Sequence, residues 1–400
     1  MHINTLTAIF ALLTATASSS LGLPTDVNVD RLLELKTQRI SQVKVPVIAK
    51  SGAEHIAYTY TKYGVTPPTD IIKAVADATQ RGSDPANALP YDIEYLCVVT
   101  VGNTKMMLDF DTGSSDFWVF STELPKSQRG RHILYPLSGV NVPCETWSIS
   151  YVDGTFASGD VYADKVAIGP VIAPVLSFGA ASNVPSRFTK DYMDGIVGLG
   201  FQSGATFKPK TVLTFMSKVG PTLSQNLFAA NLRHSQSGEY DFGFIDKSKF
   251  IGSLAYVSVD SSGGYWAFTI SGYSVGGGSK IAHSLAGIAD TGTTLLLIDD
   301  AILVNYWNKV KGAGYSSQYG GYIFPCKSAL PDFSIYLNGQ KRTMPGSYAN
   351  FAPLNDGTGF CFGGIQSSDG IGFSVFGDVF LKSQYIVFDF NGPRLGWGQK

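Results

Sequence analysis

The chain has 400 residues, of which 44% are hydrophobic, 12% aromatic and only 15% charged, with 44 glycines and 19 prolines. That composition suits large cores joined by many turns and argues against a disordered chain. With a formal net charge of −1, it has neither the basic footprint of a nucleic-acid partner nor a strongly acidic face, so charge alone names no partner.

The opening MHINTLTAIFALLTATASSS holds a short apolar stretch ending in Ala15-Thr16-Ala17, a small-x-small pattern of the kind a signal peptidase accepts. The stretch is too short to span a bilayer, no later one is long enough, and the closing RLGWGQK has no apolar anchor tail. Residues 1–17 therefore read as a signal peptide, and the expected product is soluble, secreted and without a membrane partner. Composition then shifts. Residues 31–50 carry Arg31, Lys36, Arg39, Lys44 and Lys50 against the single acid Glu34, and the segment runs out through RGSDPANALP. Residues 18–84 read as a removable leader that docks on a mildly acidic body by charge and is released when acid protonates the carboxylates. An unstructured linker fits the composition equally well.

From about residue 90 the sequence reads mostly as strands. EYLCVVTVG, TWSISYVDG, SGDVYADKVAIG, GSLAYVSVD and YWAFTISGYSVGGG are rich in β-branched and aromatic residues and are broken by Gly, Asp and Asn turns. Helical spacing is clearest in DAILVNYWNKVKG, through Leu303, Tyr306, Trp307 and Val310. The expectation is an all-β body with minor helices, too long for one sandwich or barrel, and so two lobes over 85–255 and 256–400. Four cysteines suit an oxidising destination, and none forms a CxxC pair. Two disulfides are the default: Cys326 with Cys361, which share one late segment, and Cys97 with Cys144 by elimination. His132, His234 and His283 stand in no metal or serine-hydrolase spacing and read as structural or exposed, so no metal or cofactor is called for.

Searched against itself, the chain repeats a triplet. Asp111-Thr112-Gly113 in LDFDTGSSDFWVF recurs as Asp290-Thr291-Gly292 in GIADTGTTLLL, each after an apolar strand and before small hydroxyl residues. Each copy has a downstream partner, IVGLGF at 196–201 and VFGDVF at 375–380, which points to a duplicated lobe. A single Asp-Thr-Gly is an ordinary polar turn after a strand; two in matching contexts suggest one shared site. If the corners meet, Asp111 and Asp290 cannot both ionise cheaply, and the pair keeps one proton. Such a pair is acid and base at once. A water between them could be deprotonated by one carboxylate while the other hydrogen-bonds a scissile carbonyl, with no metal or covalent intermediate. Thr112 and Thr291 are placed to brace the corners, Gly113 and Gly292 to let the chain pass close, and Ser114 and Thr293 to donate to the outer carboxylate oxygens.

These motifs, with TWSISYVDGTFASGDVY, DGIVGLGF, GGYIFPC and CFGGIQSSDGIGFSVFGDVF, resemble in content and order the pepsin-like aspartic proteinases. The likeness is greatest to the secreted fungal group of endothiapepsin, aspergillopepsin and penicillopepsin, and it runs from about residue 90 to the end. It implies a bilobal fold of two β-barrel-like lobes with a deep cleft, acid-pH endopeptidase activity, and Asp111 with Asp290 as the catalytic pair. It makes Tyr151-Val152-Asp153-Gly154 the tip of a β-hairpin flap, Tyr151 closing on substrate with its hydroxyl on the indole N–H of Trp118; by itself the stretch is a surface β-turn. Val152 replaces the family's usual glycine, which puts the flap's motion in question. Asp153 matches a fungal feature that admits Lys as well as large apolar residues beside the scissile bond, and Asp109, Phe188 and Ile196 would line that pocket. In the leader, Lys62-Tyr63 resembles the family's inhibitory pair, although such a dipeptide alone is usually solvated surface. The partners implied are protein or peptide substrates, pepstatin-type inhibitors and the chain's own propeptide, acting on a monomer. Two rival classes are a silent relative that only binds in its cleft and a secreted carbohydrate-binding β-protein. The first would be expected to have lost an Asp or a neighbouring Gly, and the second leaves the repeated triplet unexplained.

Overall fold

Alternation along TKMMLDFD drives Met106, Leu108 and Phe110 into a core while Lys105, Met107 and Asp109 stay exposed or part-exposed on the other face. Period-two stretches of this kind build most of the fold. The computed structural model describes residues 37–43, 50–81, 96–150, 156–185, 188–209 and 212–400, all within one unit, Leu35–Lys400.

In chain order the first ten strands are β1 (Gln38–Val43), β2 (Leu96–Val101), β3 (Thr104–Asp111), β4 (Phe117–Phe120), β5 (Val140–Ser150), β6 (Phe156–Ile168), β7 (Val171–Asn183), β8 (Gly195–Gly198), β9 (Leu227–Arg233) and β10 (Gln236–Phe242). Six of them, β2, β3, β8, β4, β7 and β6, pair in that order, and β6 returns to β2 to close a barrel. Closure leaves no ladder edge to protect. Inside lie Val99, Val101, Leu108, Phe110, Val119, Phe178 and Val197, all fully buried. The second half does not close in the same way. Most of its strands form a five-stranded sheet with separate three- and four-stranded sheets, while Ile251–Ser258, Arg394–Gln399 and Gln384–Asp389 join the large sheet beside β9, and one apolar cluster runs continuously from Phe110 and Tyr240 to Phe376 and Trp397.

The segment before residue 84 is ordered where it is described, which overturns the linker alternative there. β1 lies between β10 and β2, in register Gln38↔Phe242 to Ser41↔Glu239 on one side and Gln42↔Cys97 on the other. Arg39 fixes that position: its Nε is 2.6 Å from the buried Asp241 and a terminal nitrogen is 2.6 Å from Asp246. Helix α1 (Gly52–Lys62) starts at Ser51, which accepts from Glu54 N–H while the Glu54 carboxylate accepts from Ser51 N–H, a reciprocal cap on two end donors. Ala53, Ile56 and Tyr60 bury one stripe of it. Helix α2 (Thr69–Arg81) packs beside it.

Three sequence expectations change or are refined. Cys326 and Cys361 are bonded, 2.00 Å between sulfurs, but Cys97 and Cys144 are free. Elimination fails because pairing needs Cβ atoms about 4 Å apart: Cys97 is inside the barrel core, whereas Cys144 is exposed at φ 66°, where the β5–β6 register slips. The late helix spans only Asp300–Trp307, capped by Asp299; Val310 is buried beyond its end. His132 is buried and stacked on Phe120, 3.8 Å between centroids, while His283 is part-exposed beside Asp299. Among the described residues no helix is long and apolar enough to cross a membrane.

Candidate active site

The two Asp-Thr-Gly triplets sit on the same three-strand corner, built twice. Asp111 ends β3, which runs parallel to β8 with Asp111 opposite Gly198, and β8 in turn pairs antiparallel with β4, the strand that follows the triplet. In the second half the strand Leu285–Ala289 runs parallel to Ser374–Phe376, and that strand pairs antiparallel with Leu296–Ile298, which follows the second triplet. Asp290 leaves its strand one residue past the end, its N–H bonded to Phe376 O at 3.1 Å. The duplication read from the sequence is thus a duplication of topology.

The corners meet through their threonines. Thr112 N–H donates to Thr291 Oγ1 at 3.1 Å and Thr291 N–H to Thr112 Oγ1 at 3.0 Å. Each hydroxyl then donates across to the strand of the other corner, Thr112 to Ala289 O at 2.8 Å and Thr291 to Phe110 O at 2.5 Å. Four reciprocal bonds in a dry setting fix the spacing of the two carboxylates. Asp111 and Asp290 are both essentially inaccessible. Gly113 N–H donates to Asp111 Oδ1 at 2.8 Å and Gly292 N–H to Asp290 Oδ1 at 2.9 Å; Ser114 Oγ donates to Asp111 Oδ2 at 2.6 Å and Thr293 Oγ1 to Asp290 Oδ2 at 2.5 Å. The glycines are required by space. A Cβ at Gly113 would lie 2.4 Å from the Asp290 carboxyl, and one at Gly292 2.4 Å from Asp111 Oδ1.

Helix α1 delivers a cation to the pair. Lys62, its last residue, places Nζ 2.8 Å from Asp111 Oδ1 and 2.9 and 3.0 Å from the two oxygens of Asp290. The Tyr63 hydroxyl donates to Asp290 Oδ2 at 2.5 Å, its ring held edge-on against Tyr265 and Phe373. Burial alone would strip the proton from Lys62, but the two carboxylates outweigh it and hold the ammonium well above its ordinary range. The carboxylates are unequal. Burial, then the neighbouring Asp290 charge, raises Asp111 despite Lys62; at Asp290 the cost of burial is outweighed by Lys62 and by the Thr293 and Tyr63 hydroxyls, and its pKa is lowered.

Of the pocket residues inferred from sequence, Asp109 and Phe188 line a cavity of about 400 Å³ shared with Lys50, His55 and Tyr58 of the leader and with Thr293. Ile196 faces Asp109 across the β3–β8 ladder and is buried with Trp118 and Phe188 in one cluster. Trp118 stacks on Trp147 at 5.3 Å, and its indole N–H has no partner among the described residues. Tyr151, Val152, Asp153 and Gly154 lie outside the described residues. Sequence reading missed two leader contacts in the same cavity. Lys50 reaches the buried Asp191 at 3.0 Å, and His55 is buried edge-on to Phe351, 5.2 Å between centroids, with no partner for Nε2 among the described residues. The spacing Ala53, Ile56, Tyr60 was the available signal for the helix; nothing local marks Lys50 or His55.

Residues 94–400 match the family model for eukaryotic aspartyl protease. The chain belongs to that family. Among relatives of this aspartyl protease, penicillopepsin-3 of Penicillium janthinellum is 48% identical over 367 residues, 91% of this chain and 92% of its own. Aspergillopepsin-1 of Aspergillus fumigatus is 49% identical over 364 residues, covering 90% and 91%. Aspergillopepsin-1 of Aspergillus oryzae is 47% identical over 395 residues, 98% of each. Both carboxylate corners fall inside the family match, whereas Lys62 and Tyr63 precede it. In this protease Thr291→Val keeps the shape but orphans Thr112 N–H inside the core and leaves Phe110 C=O only the Tyr240 hydroxyl at 3.4 Å. Urea denaturation should show a loss of about 1–3 kcal/mol, the cost of one buried unpaired group; a loss within error of zero would mean the threonine bonds do not hold the corners.

Proposed function

We propose that the chain is the zymogen of a secreted, acid-acting aspartic endopeptidase, with residues 1–17 a signal peptide, 18–84 a propeptide, and 85–255 and 256–400 the two lobes that flank the cleft. The observation that carries this reading is the buried carboxylate pair with mirrored donors, occupied by the ammonium and phenol of the same chain's leader. The match to the A. oryzae relative over 98% of both chains runs into that leader and supports treating it as part of the precursor. Once Lys62 and Tyr63 withdraw, a water bound between Asp111 and Asp290 is deprotonated by the ionised carboxylate while the protonated one polarises the peptide carbonyl. Attack gives a tetrahedral diol, and return of a proton to nitrogen releases the amine. Tyr151 to Gly154 close over the substrate, and Asp109, Phe188 and Ile196 with Asp153 shape a pocket for large apolar residues or Lys. Pepstatin-type inhibitors would compete for the pair.

Release of the leader follows from proton linkage. With the leader docked, Lys62 and the Thr293 and Tyr63 hydroxyls outweigh burial and lower Asp290, so docking weakens as pH falls through the ordinary carboxylate range and below it. His55 acts in the same direction. Burial, with the nearby Lys50 charge, lowers it to about 3, against about 6.5 for a free imidazole. The docked leader must keep His55 neutral, so this contribution is full above pH ~6.5 and shrinks as pH falls toward 3, by up to about 5 kcal/mol.

Asp290→Asn should lower hydrolysis of denatured haemoglobin at acid pH by at least about 100-fold, and a pepstatin-type inhibitor should abolish the wild-type rate; activity indifferent to both overturns the mechanism. In acid titration of the precursor, Lys62→Met should move half-conversion to higher pH and His55→Leu to lower pH, and the opposite order of midpoints would reverse the release scheme. Asp153→Ser should depress cleavage after Lys and spare cleavage after Phe or Leu, as read from product sequences; equal losses would remove Asp153 from the pocket.

A further inference from the structure

The cavity of about 400 Å³ beside the carboxylate corners lies between the two leader helices and the body, and its size suits a small organic molecule. Its wall has two sources. Ala57 of α1 and Ile72 and Val75 of α2 supply one apolar side, Phe188 and Met193 of the body the other. Ile72 is also exposed to solvent, which gives the chamber an entrance on the α2 side.

Most polar groups around it are directed to fixed partners. Lys50 reaches Asp191 at 3.0 Å, the Glu54 carboxylate accepts from Ser51 N–H at 2.5 Å, and Thr61 Oγ1 donates to Tyr58 O at 2.9 Å. The hydroxyls of Thr291 and Thr293 are taken up by Phe110 O and Asp290. His55 differs. It lines the chamber, is only 7% exposed, and its Nε2 has no hydrogen-bond partner among the described residues. Burial, with the Lys50 charge, keeps the ring neutral. A buried ring nitrogen without a partner is costly, and an incoming group that pairs with it removes that cost.

We infer, on the zymogen reading, that this chamber binds a neutral, flat hydroxyaromatic molecule of about two fused rings, and that such a ligand holds the leader on the body. A hydroxyl serves either tautomer of His55, accepting from Nε2–H or donating to the bare nitrogen. A charged ligand would have to shed its hydration beside a neutral imidazole. Phe188 and Met193 favour a ring over an alkyl chain, through offset stacking and sulfur contact. Because both walls are needed, the ligand belongs to the precursor: the body alone keeps Phe188 and Met193 but loses His55 and the apolar side of the leader. Mass action then couples occupancy to release. A ligand present at about a hundred times its dissociation constant raises the ratio of docked to released leader about a hundred-fold.

The test is equilibrium dialysis of the full chain against 2-naphthol near neutral pH, where the leader stays docked, with 2-methylnaphthalene as the analogue lacking the hydroxyl. One saturable site, at least about ten-fold tighter for naphthol, is expected, and protein converted by acid and returned to the same pH should bind at least ten-fold more weakly. His55→Phe should erase the preference for the hydroxyl. Ala57→Phe, which fills the chamber from α1 and keeps the imidazole, should weaken binding at least ten-fold, and it carries the comparison if His55→Phe does not fold. At one fixed acid pH, saturating naphthol should slow conversion of the precursor at least ten-fold and leave haemoglobin hydrolysis by already converted protein unchanged. Absence of a saturable site, equal affinity for the two probes, equal affinity of precursor and converted protein, binding unmoved by Ala57→Phe, or conversion at an unaltered rate overturns the chamber. Each of these leaves the protease reading standing where converted protein still cleaves haemoglobin in a pepstatin-sensitive way; a chain that binds naphthol yet never cleaves under acid sinks that reading instead.

Discussion

Two carboxylates forced into one dry place are the constraint that the rest of this structure answers. At an effective dielectric of about 20, two unit charges ~4 Å apart repel by about 4 kcal/mol, a large fraction of the ~5–15 kcal/mol that holds a typical domain together. The fold meets that cost with groups that cannot move away. Backbone N–H groups of Gly113 and Gly292 and the hydroxyls of Ser114 and Thr293 each face one carboxylate, and the crossed threonines keep the distance from relaxing. Loops alone would drift apart; parallel strands pinned by β8 and by Ser374–Phe376 do not.

The remaining charge is balanced by α1. Its position follows from ordinary helix physics: a capped start at Ser51, an apolar stripe through Ala53, Ile56 and Tyr60, and a last turn that ends on Lys62. The Tyr60 hydroxyl donates to Asp369 O at 2.5 Å, and Val65 N–H closes the turn back onto Tyr60 O at 2.9 Å. The ammonium therefore arrives on a rigid arm rather than a flexible tail. The unequal environments of Asp111 and Asp290 arise from the same geometry, since Tyr63 and Thr293 both donate to one oxygen of Asp290, while Asp111 Oδ2 receives Ser114.

Much of the site was legible because its chemistry is local. Asp-Thr-Gly followed by a hydroxyl residue specifies a strand end, a tight turn and a donor within four positions, and the repeat supplied the partner 179 residues away. The strands were legible for the same reason: Met106, Leu108 and Phe110 alternate as a half-buried strand must. Long-range facts left no local trace. Whether Cys97 faces a core or a partner thiol depends on a barrel closure made by β6, far along the chain. Asp191 reads as one more polar residue in FTKDYMDG until Lys50 is brought against it. Leader helices were hidden because a basic, Gly- and Pro-flanked segment has the composition of a linker, and only the body supplies the surface that makes α1 fold.

β1 carries a consequence for the shape of maturation. It is an interior member of its sheet, hydrogen-bonded on both sides, to β10 and to β2. Cutting the leader away, as proposed, would not trim a margin; it would leave a vacant berth one strand wide, with ladders about 9–10 Å apart and both rows of amides unanswered. Asp241 would lose its guanidinium in the same event and keep the Tyr385 hydroxyl, 3.1 Å away. Conversion on the proposed scheme would therefore be a repair as well as a scission, its pace set by how quickly another stretch of backbone can fill the gap.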